Sequence, residues 1–297
     1  KIDVAVISKV YPVRSHSVCA QGGTAAVMRE GDSYDLHALD TIKGADFLAD
    51  QDVVEFFVRQ ATRELITLEH WGCPWSRTPD GKMDQRPFGG HTFPRACFAA
   101  DMTGLVEMHT LYGRAIIQEN ITFYDEWFVT SLILEDNVAK GLTAIELKTG
   151  EMHALRAKAI IMATGGCERI FEFTTFSHGS TGDGMAIAYR AAVPLKDMEF
   201  VQFHPTGLLP SGVLITEGAR GEGGYLFNAE GERFMKRYAP EKMELAPRDI
   251  VSRAETTEIQ QGRGLEGPYG PYIALDLRHL GEEKINERLP LIRDVAI

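Results

Sequence analysis

Two stretches near the start of the chain decide its fold: residues 2–8, IDVAVIS, and residues 14–23, RSHSVCAQGG. The first is a short continuous apolar run, which is typical of a buried parallel strand. The second is a polar loop that contains His16 and ends in two glycines, which let a ligand approach the backbone closely. In an α/β sheet, a cofactor binds at loops of this kind. The pair predicts an α/β protein with a ligand at this loop, although a single histidine is more often an ordinary loop residue.

Two further segments also predict a strand that leads to a ligand-binding turn. Residues 159–166, AIIMATGG, form an apolar run that ends in Thr-Gly-Gly, which predicts another buried parallel strand with a ligand at its carboxyl end. Residues 181–184, TGDG, then open a helix. A helix N-terminus attracts phosphate, but the carboxylate of Asp183 would repel it. Asp183 therefore suits a ribose hydroxyl or a cap on its own helix.

Composition excludes several classes of protein. The 297 residues suffice for one large domain or two ordinary ones, and 44% hydrophobic with 25% charged residues is typical of a globular protein. A net charge of −11 without a basic stripe argues against nucleic-acid binding. We expect no membrane-spanning segment, because no apolar stretch approaches the required length, and we expect no signal peptide at the start.

The four cysteines give no metal signal. Cys19, Cys73, Cys97 and Cys167 are far apart and form no C-x-x-C pair, so we expect neither a zinc site nor an iron–sulfur cluster in this chain, and no other metal. The expectation is that each is reduced and buried in a cytosolic protein.

Hydrophobic periodicity predicts the main helices and a small sheet. Apolar residues at three- and four-residue spacing predict a helix over 50–71, a second over about 102–118 and a third from about 250. The predicted inward face of the first helix comprises Val53, Val54, Phe57, Val58, Ala61, Leu65 and Leu68. Residues 120–134 and 141–161 read as strands of an antiparallel sheet. After about residue 193 the strand–helix rhythm ends, which predicts a domain at 1–203 and another at 204–297.

Candidate chemistry lies in the last third of the chain. His204 precedes a proline, so its backbone is extended, Glu217 and Arg220 stand three residues apart, and Arg248 precedes a helix. Each has a simpler explanation: a packed histidine, a surface ion pair and a residue at a helix start. These residues alone leave both interpretations open.

The chain resembles, over its whole length, the flavoprotein subunits of succinate dehydrogenase and fumarate reductase. The resemblance rests on Arg-Ser-His followed by Ala-Gln-Gly-Gly, on the ATGG and TGDG segments, and on WGCPWSRTPDG, DMEFVQFHPTG and DLRHLG, which are most similar to bacterial fumarate reductases. Gln21 stands where many fumarate reductases have glutamate and succinate dehydrogenases have glutamine, so the working direction stays open.

The resemblance implies a fold and a cofactor. It implies a doubly wound, Rossmann-like FAD-binding domain at 1–203 without its first strand and G-x-G-x-x-G turn, and an inserted, truncated α+β capping domain at 204–297. FAD would be bound covalently to His16. The other cofactor-binding residues implied are Ser8, Lys9, Arg14, Ser15, Ser17, Gln21, Gly22, Gly23, Ala163, Thr164, Gly165 and Asp183.

The resemblance also implies roles at the substrate. Arg248 would exchange a proton with the reacting carbon, and Glu217 and Arg220 would relay that proton. His204 and Thr216 would hold substrate carboxylates, and Phe98 would line the pocket. Succinate and fumarate are dianions, so such a pocket must supply positive charge and hydrogen-bond donors.

The implied function is interconversion of succinate and fumarate in a membrane-associated complex. An iron–sulfur subunit and membrane anchor subunits would pass electrons between the flavin and quinone at the cytoplasmic face of the cell membrane. Two alternatives stay open. L-aspartate oxidase shares the fold and the arginine but normally lacks the histidine, and a truncated subunit could serve only as an assembly module.

Overall fold

A computed structural model describes residues 2–296, which form two compact units. The first unit contains residues up to 18 and residues 111–201, and the second contains residues 19–110 and everything from residue 202 onward. The expected division at 203/204 therefore falls near one boundary between the units, while residues 19–110 group with the last third of the chain.

The helices and strands of residues 2–296 have the following bounds. The α-helices are α1 Tyr34–Gly44, α2 Gln51–His70, α3 Thr103–Ile116, α4 Asp183–Arg190, α5 Glu217–Gly221, α6 Met235–Tyr238, α7 Arg248–Gln260, α8 Glu282–Arg288 and α9 Pro290–Ala296. The strands are β1 Val4–Ser8, β2 Thr24–Ala25, β3 Gln85–Arg86, β4 Ala96–Cys97, β5 Ile121–Asp125, β6 Trp127–Glu135, β7 Val138–Glu146, β8 Met152–Arg156, β9 Gly207–Leu208, β10 Val213–Leu214, β11 Tyr225–Phe227 and β12 Ala274–Asp276. Short 3₁₀ helices include Pro12–Arg14 and His16–Cys19.

The first unit contains a parallel pair and an antiparallel sheet. Strand β1 pairs in parallel with β5, and β6, β7 and β8 form a meander. The predicted antiparallel sheet is confirmed. Asp136 and Asn137 turn the chain between β6 and β7, and their φ angles of 50° and 61° match a tight hairpin. The segment predicted as one strand over 120–134 is two, because Glu126 between them has a φ of 60°.

The strand predicted at residues 159–166 is wrong. This segment has no regular structure, and most of it is exposed, with Ile161 93% accessible. Among residues 2–296, β1 pairs only with β5, so the apolar run lacks the hydrogen-bonded neighbour that a parallel strand requires. β1 is a parallel strand as predicted, but it is not buried: two of its five residues are exposed and three are half-buried.

The predicted helices are present: α2 and α7 lie in the second unit, and α3 begins in the second unit and ends in the first. The helix predicted over 50–71 is α2, the one predicted over 102–118 is α3 up to residue 116, and the one predicted from about 250 is α7. In α2 the buried face is narrower than predicted, because Val53 and Phe57 are 62% and 58% exposed. Val54 and Val58 pack on α1, while Ala61 and Leu65 pack against a second cluster with Trp75 and Cys97.

The core around α7 orients the helix. Val251 and Ala254 are buried against Leu226, Phe234 and Met235. On the same helix the fully buried Glu258 accepts hydrogen bonds from four side chains: Arg263, Tyr238, Asn228 and Arg237. These bonds, that of Arg263 first, hold the pKa of Glu258 at about 2. Apolar packing and this ion cluster together fix the helix that begins with Arg248.

The structure shows how exposed the four cysteines are and how long and apolar the helices are. Cys73 and Cys97 are buried, but Cys19 is exposed and Cys167 half-buried, so the expectation that all four are buried is wrong. Cys19 ends the 3₁₀ helix His16–Cys19, and Cys167 directly precedes another short 3₁₀ helix, Glu168–Ile170, and the sequence did not distinguish these positions from the core. Of the helices within residues 2–296, none is both long and apolar enough to cross a bilayer.

A buried ion triad ties α1 to the β4 segment. Arg95 donates to both oxygens of Asp32, at 2.9 and 2.7 Å, and also to Asp40. The three side chains are at most 3% exposed. Thr92 donates twice more to Asp40. Although burial opposes it, these bonds lower the pKa of Asp40. The triad's stabilisation is present at neutral pH and is lost as pH falls through the folded pKa of Asp40.

Arg95→Met should reduce the free energy of unfolding by about 3–5 kcal/mol, because it leaves two buried carboxylates without a cation. The unpaired carboxylates then favour their protonated form, so the deficit relative to wild type should shrink between pH 7 and pH 4. Urea unfolding followed by circular dichroism at both pH values measures this. Lys82→Met removes the exposed Lys82–Asp80 pair and should leave the midpoint unchanged. An equal deficit at both pH values would contradict this account of the triad.

Candidate active site

His16 lies in the first unit, in a setting that keeps its imidazole neutral. Its ring stacks on Phe176 with centroids 4.0 Å apart, and the backbone N–H of Ser177 donates to Nδ1 at 3.2 Å. Burial lowers the pKa of His16, although the charge of Glu168 opposes this. With Nδ1 accepting, the neutral ring carries its hydrogen on Nε2.

The two glycine-containing segments predicted to bind the cofactor lie together in the first unit. Gly182 N–H donates to the Gly166 carbonyl at 3.2 Å, and Gly182 has a φ of 77°. A Cβ at Gly184 would overlap the side chain of Thr164. Thr164 and Gly166 therefore lie against the start of α4 although the predicted strand is absent, and cofactor contacts of Ala163, Thr164 and Gly165 stay predictions.

Asp183 has a protein partner. Lys9 donates to its carboxylate and, at 2.7 Å, to Thr181. Although burial opposes it, the hydrogen bond from Lys9 lowers the pKa of Asp183. The N-cap of α4 is Gly182 and not Asp183, so the cap alternative is wrong, because the side chain is used by the ion pair.

Of the other first-unit loop residues predicted to bind the cofactor, two form hydrogen bonds with neighbouring residues and two are exposed to solvent. Ser15 Oγ donates to the Pro12 carbonyl at 2.7 Å, and Ser8 Oγ accepts from Val10 N–H at 3.4 Å. Arg14 and Ser17 are exposed. Their contact with a cofactor stays a prediction.

The glycines at 22 and 23 lie in the second unit and have structural roles. A Cβ at Gly22 would stand 2.5 Å from the Phe88 ring, and one at Gly23, whose φ is 146°, would stand 2.6 Å from the Cys97 carbonyl oxygen. Arg86 also donates to the carbonyls of Gln21 and Gly22. At both positions, the atoms that leave no room for a Cβ belong to neighbouring residues of the protein. Gln21 is 6% exposed and its Oε1 has no partner among residues 2–296.

The chemistry of these residues fits a covalently attached flavin. An imidazole that has been alkylated at Nε2 is neutral when Nδ1 keeps its lone pair, and that lone pair already accepts from Ser177 N–H. Phe176 gives the ring an aromatic support. Because Nδ1 is engaged by Ser177 N–H, Nε2 is the ring nitrogen left for a bond to the flavin, and it must lose its hydrogen before that bond can form.

A buried carboxylate lies at the centre of the charged cluster in the second unit. Glu217 is 4% exposed and its Oε2 accepts from Arg248 Nε at 2.7 Å. Arg220 Nη2 lies 3.7 Å from the same oxygen, and Gly89 N–H donates to Oε1 at 2.6 Å. Although burial opposes it, the charges of Arg248 and Arg220 lower the pKa of Glu217. Sequence spacing predicted the pairing of Glu217 with Arg220, and the structure adds Arg248.

Local sequence explains how these groups are presented. Thr216 is the N-cap of α5, and its Oγ1 accepts from Gly218 N–H at 3.0 Å. Glu217 then occupies the first turn, where the helix dipole favours an anion. Arg248 is the first residue of α7, after Pro247, and Gln202 Oε1 accepts from its Nη1 at 2.9 Å. Arg248 Nη2 has no hydrogen-bond partner within the described chain.

His204 belongs to the same cluster. Its Nδ1 lies 3.2 Å from Thr206 N–H and 2.9 Å from the Thr206 carbonyl, while its buried Nε2 has no partner within residues 2–296. Burial, followed by the charges of Arg248 and Arg220, lowers the pKa of His204 to about 3. If Nδ1 accepts from Thr206 N–H, Nε2 carries a hydrogen that can be donated to a carboxylate. Thr216 is also fully buried, and its side-chain oxygen caps α5.

Phe98 is in a different environment from the one predicted. Its ring is 1% exposed and lies between two guanidinium groups, those of Arg86 at 4.3 Å and Arg288 at 4.5 Å. This arrangement indicates cation–π packing. A substrate contact of Phe98 stays a prediction with no support in this geometry.

Three residues of the cluster were missed by sequence reasoning. A Cβ at Gly89 would stand 2.7 Å from Glu217 Oε1 and 2.9 Å from the Ala246 carbonyl, so the Gly-Gly at 89–90 was a usable signal. Gln202, two residues before His204, orients Arg248. Glu255, which interacts electrostatically with Arg220, gave no signal, because charged residues on helices are usually exposed.

Comparisons with known proteins agree with this geometry. The family described as "FAD binding domain" matches residues 1–297. A fumarate reductase flavoprotein subunit of Mycobacterium tuberculosis is 53% identical over 99% of this chain and 52% of its own length. A succinate dehydrogenase flavoprotein subunit of Rickettsia bellii is 47% identical over 99% of this chain and 51% of its own length. The chain thus spans about half the length of the curated relatives it matches.

A solved structure shows the same fold. A quinol fumarate reductase chain of Escherichia coli superposes with a TM-score of 0.96 at 47% identity, over 99% of this chain and 52% of that chain. The expected α/β flavoprotein fold and FAD as cofactor are confirmed by these matches. The chain belongs to the family of FAD-binding domains, and within it is similar to the flavoprotein subunits of fumarate reductases and succinate dehydrogenases.

Proposed function

We propose that this chain is the catalytic flavoprotein part of an enzyme that interconverts succinate and fumarate. The observation that carries the proposal is the buried Glu217 carboxylate held between Arg248 and Arg220. One anion between two cations leaves a surplus positive charge, which favours a dianionic substrate. The names of the relatives support this reading over L-aspartate oxidase.

The substrate groups follow from the open donors of the cluster. His204 Nε2 is buried without a partner, and Arg248 Nη2 has none. We assign one carboxylate of the substrate to His204 Nε2–H and to the hydroxyl hydrogen of Thr216. Arg248 Nη2 is then the donor left for the reacting carbon. The segment 204–297 contributes all of these residues, in line with its proposed role as a substrate-capping region.

The proton path runs inward from Arg248. When bound, FAD supplies the acceptor and donor of hydride. For fumarate reduction, an N–H of Arg248 breaks as a C–H bond forms, and Arg248 regains its proton through its contact with Glu217, which is resupplied by Arg220. In succinate oxidation the protons move in the opposite order.

The cofactor side of the proposal rests on His16. Its Nε2, after losing its hydrogen, would hold FAD covalently, while its Nδ1 keeps the hydrogen bond from Ser177. We assign the remainder of FAD to the residues of the first unit that the family resemblance implies, which are Ser8, Lys9, Arg14, Ser15, Ser17, Ala163, Thr164, Gly165 and Asp183. The partners proposed are an iron–sulfur subunit and membrane anchor subunits that exchange electrons with quinone at the cytoplasmic face of the cell membrane. Support comes from a quinol–fumarate reductase with bound menaquinol that superposes with a TM-score of 0.94.

Arg248→Gln should lower the kcat of dye-linked fumarate reduction by roughly a hundredfold or more, the range of general acid–base catalysis. Its flavin content should not change. The holoprotein that contains this chain is assayed with a reduced viologen, and flavin is measured by absorbance. Arg253→Gln, on an exposed part of the same helix, is the matched control and should keep wild-type kcat. Retained turnover in the Arg248 variant would remove this residue from the proton step.

His16→Ser should abolish covalent attachment of the flavin. The protein is denatured in acid and separated by gel electrophoresis, and flavin fluorescence is recorded in the protein band. Wild type and the control His178→Ser, an exposed histidine of the same unit, should retain the fluorescence, whereas His16→Ser should lose it. A fluorescent band from the His16 variant would place the attachment at another residue.

A further inference from the structure

Three metal-ligating side chains lie close together in the first unit, on the hairpin that joins β7 and β8. They are Glu146, the last residue of β7, Glu151, which directly precedes β8, and His153 within β8. Each residue offers one ligand atom, a carboxylate oxygen or an imidazole nitrogen, and these atoms all lie within 4.8 Å of one another. None of the three residues has a role in the reaction proposed above.

The register of the hairpin places the three side chains on one face of the sheet. Ile145 pairs with Met152, and the backbone N–H of Glu146 donates to the Glu151 carbonyl at 3.0 Å, so these two glutamates are opposite each other. Side chains of a strand alternate between its two faces. His153, two residues after Glu151, therefore faces the same way as both carboxylates.

Neighbouring side chains hold two of the three ligands in place. The His153 ring lies against the Trp127 ring, with centroids 4.6 Å apart, and Glu146 Oε2 accepts from Thr149 Oγ1 at 2.8 Å. His153 Nε2 is buried and has no hydrogen-bond partner among residues 2–296, while Glu151 Oε2 lies 3.8 Å from it. A buried polar atom without a hydrogen bond is unusual, and a cation between this nitrogen and the carboxylates would satisfy it.

We propose that Glu146, Glu151 and His153 bind a divalent transition-metal ion, for which Zn²⁺ is the best fit. Zn²⁺ takes histidine nitrogen and carboxylate oxygen as ligands and accepts water in a fourth position. The nitrogen ligand argues against Mg²⁺ and Ca²⁺, which take oxygen ligands. The two carboxylates carry the negative charge that balances the ion.

The distances between the ligand atoms are compatible with zinc after a small closure. Ligands about 2.1 Å from a tetrahedral zinc ion stand about 3.4 Å apart. The present limit of 4.8 Å must therefore shrink by at most about 1.4 Å for this tetrahedral geometry. The Glu151 side chain is 72% exposed, so it can turn inward by this amount without displacing a packed group.

The bound ion joins the two strands of the hairpin. The expectation of no metal in this chain rested on its cysteines, and this cluster contains none. Because the cluster takes no part in the proposed reaction, the inference does not rest on the proposed function and can fail or succeed separately from it.

Zinc binding to the holoprotein that contains this chain tests the proposal. The protein is dialysed against micromolar Zn²⁺, and its zinc content is measured by mass spectrometry of the dissolved sample. Wild type should bind one more zinc ion per chain than His153→Gln or Glu151→Gln. The controls Glu135→Gln and His178→Gln, an exposed acid of the same sheet and an exposed histidine of the same unit, should match wild type.

Hydrogen–deuterium exchange gives a second readout within the hairpin. Zinc should slow amide exchange in residues 146–153 of wild type, because the ion links the two strands and opposes their local opening, and it should have no effect in His153→Gln. If that variant loses flavin, the comparison is made with Glu151→Gln, whose exposed side chain is not needed for packing. Equal zinc contents in wild type and variant, exchange that zinc does not slow, or displacement of zinc by an equal concentration of Mg²⁺ would each overturn the inference.

Discussion

The cluster in the second unit depends on one buried carboxylate with more positive than negative neighbours. Burying Glu217 alone would cost several kcal/mol, and the cost is offset by Arg248, Arg220 and the N–H of Gly89. Because the two arginines outnumber the acid, the cluster retains an attraction for anions. The same contacts keep Glu217 ionised, as the lowered pKa shows. Stability of the cluster and its capacity to receive a dianion therefore come from the same ion pairs.

Three distant segments must fold together to build this cluster. The short helix α5 presents Glu217 and Arg220, the start of α7 presents Arg248, and the loop at residue 89 closes over the carboxylate. The buried Glu258 cluster and the apolar core fix α7 from its other side. A helix of five residues such as α5 is not stable alone, so the position of Glu217 is a product of tertiary packing and of the Thr216 cap.

The features that could be predicted from the sequence are those that depend on residues close together in the chain. Helices α2, α3 and α7 follow from apolar periodicity, and the pairing of Glu217 with Arg220 follows from helical spacing. The strand expected at residues 159–166 failed because a parallel strand is defined by a neighbour in space, which a pattern within one segment does not specify. Family resemblance supplied the proposed roles of His16 and His204, which composition and spacing could not. The burial of the Glu255 carboxyl oxygen could not be predicted from the sequence, because the burial of a single helix residue depends on what packs against it.

Some buried polar atoms of the second unit form hydrogen bonds, and others have no hydrogen-bond partner among the described residues. His204 Nε2, Arg220 Nε and Nη2, and Glu255 Oε1 are all buried without a hydrogen-bond partner within residues 2–296. A buried polar group left unpaired costs about 1–3 kcal/mol, and in most proteins such groups are rare. Other buried atoms of the same unit, such as Arg86 Nη1 and Asp101 Oδ1, also lack a hydrogen-bond partner among these residues, whereas the buried charges at Arg95 and Glu258 are paired. Because well-paired ion clusters stabilise the same unit elsewhere, this site can keep its donors and acceptors open for a ligand and for protons.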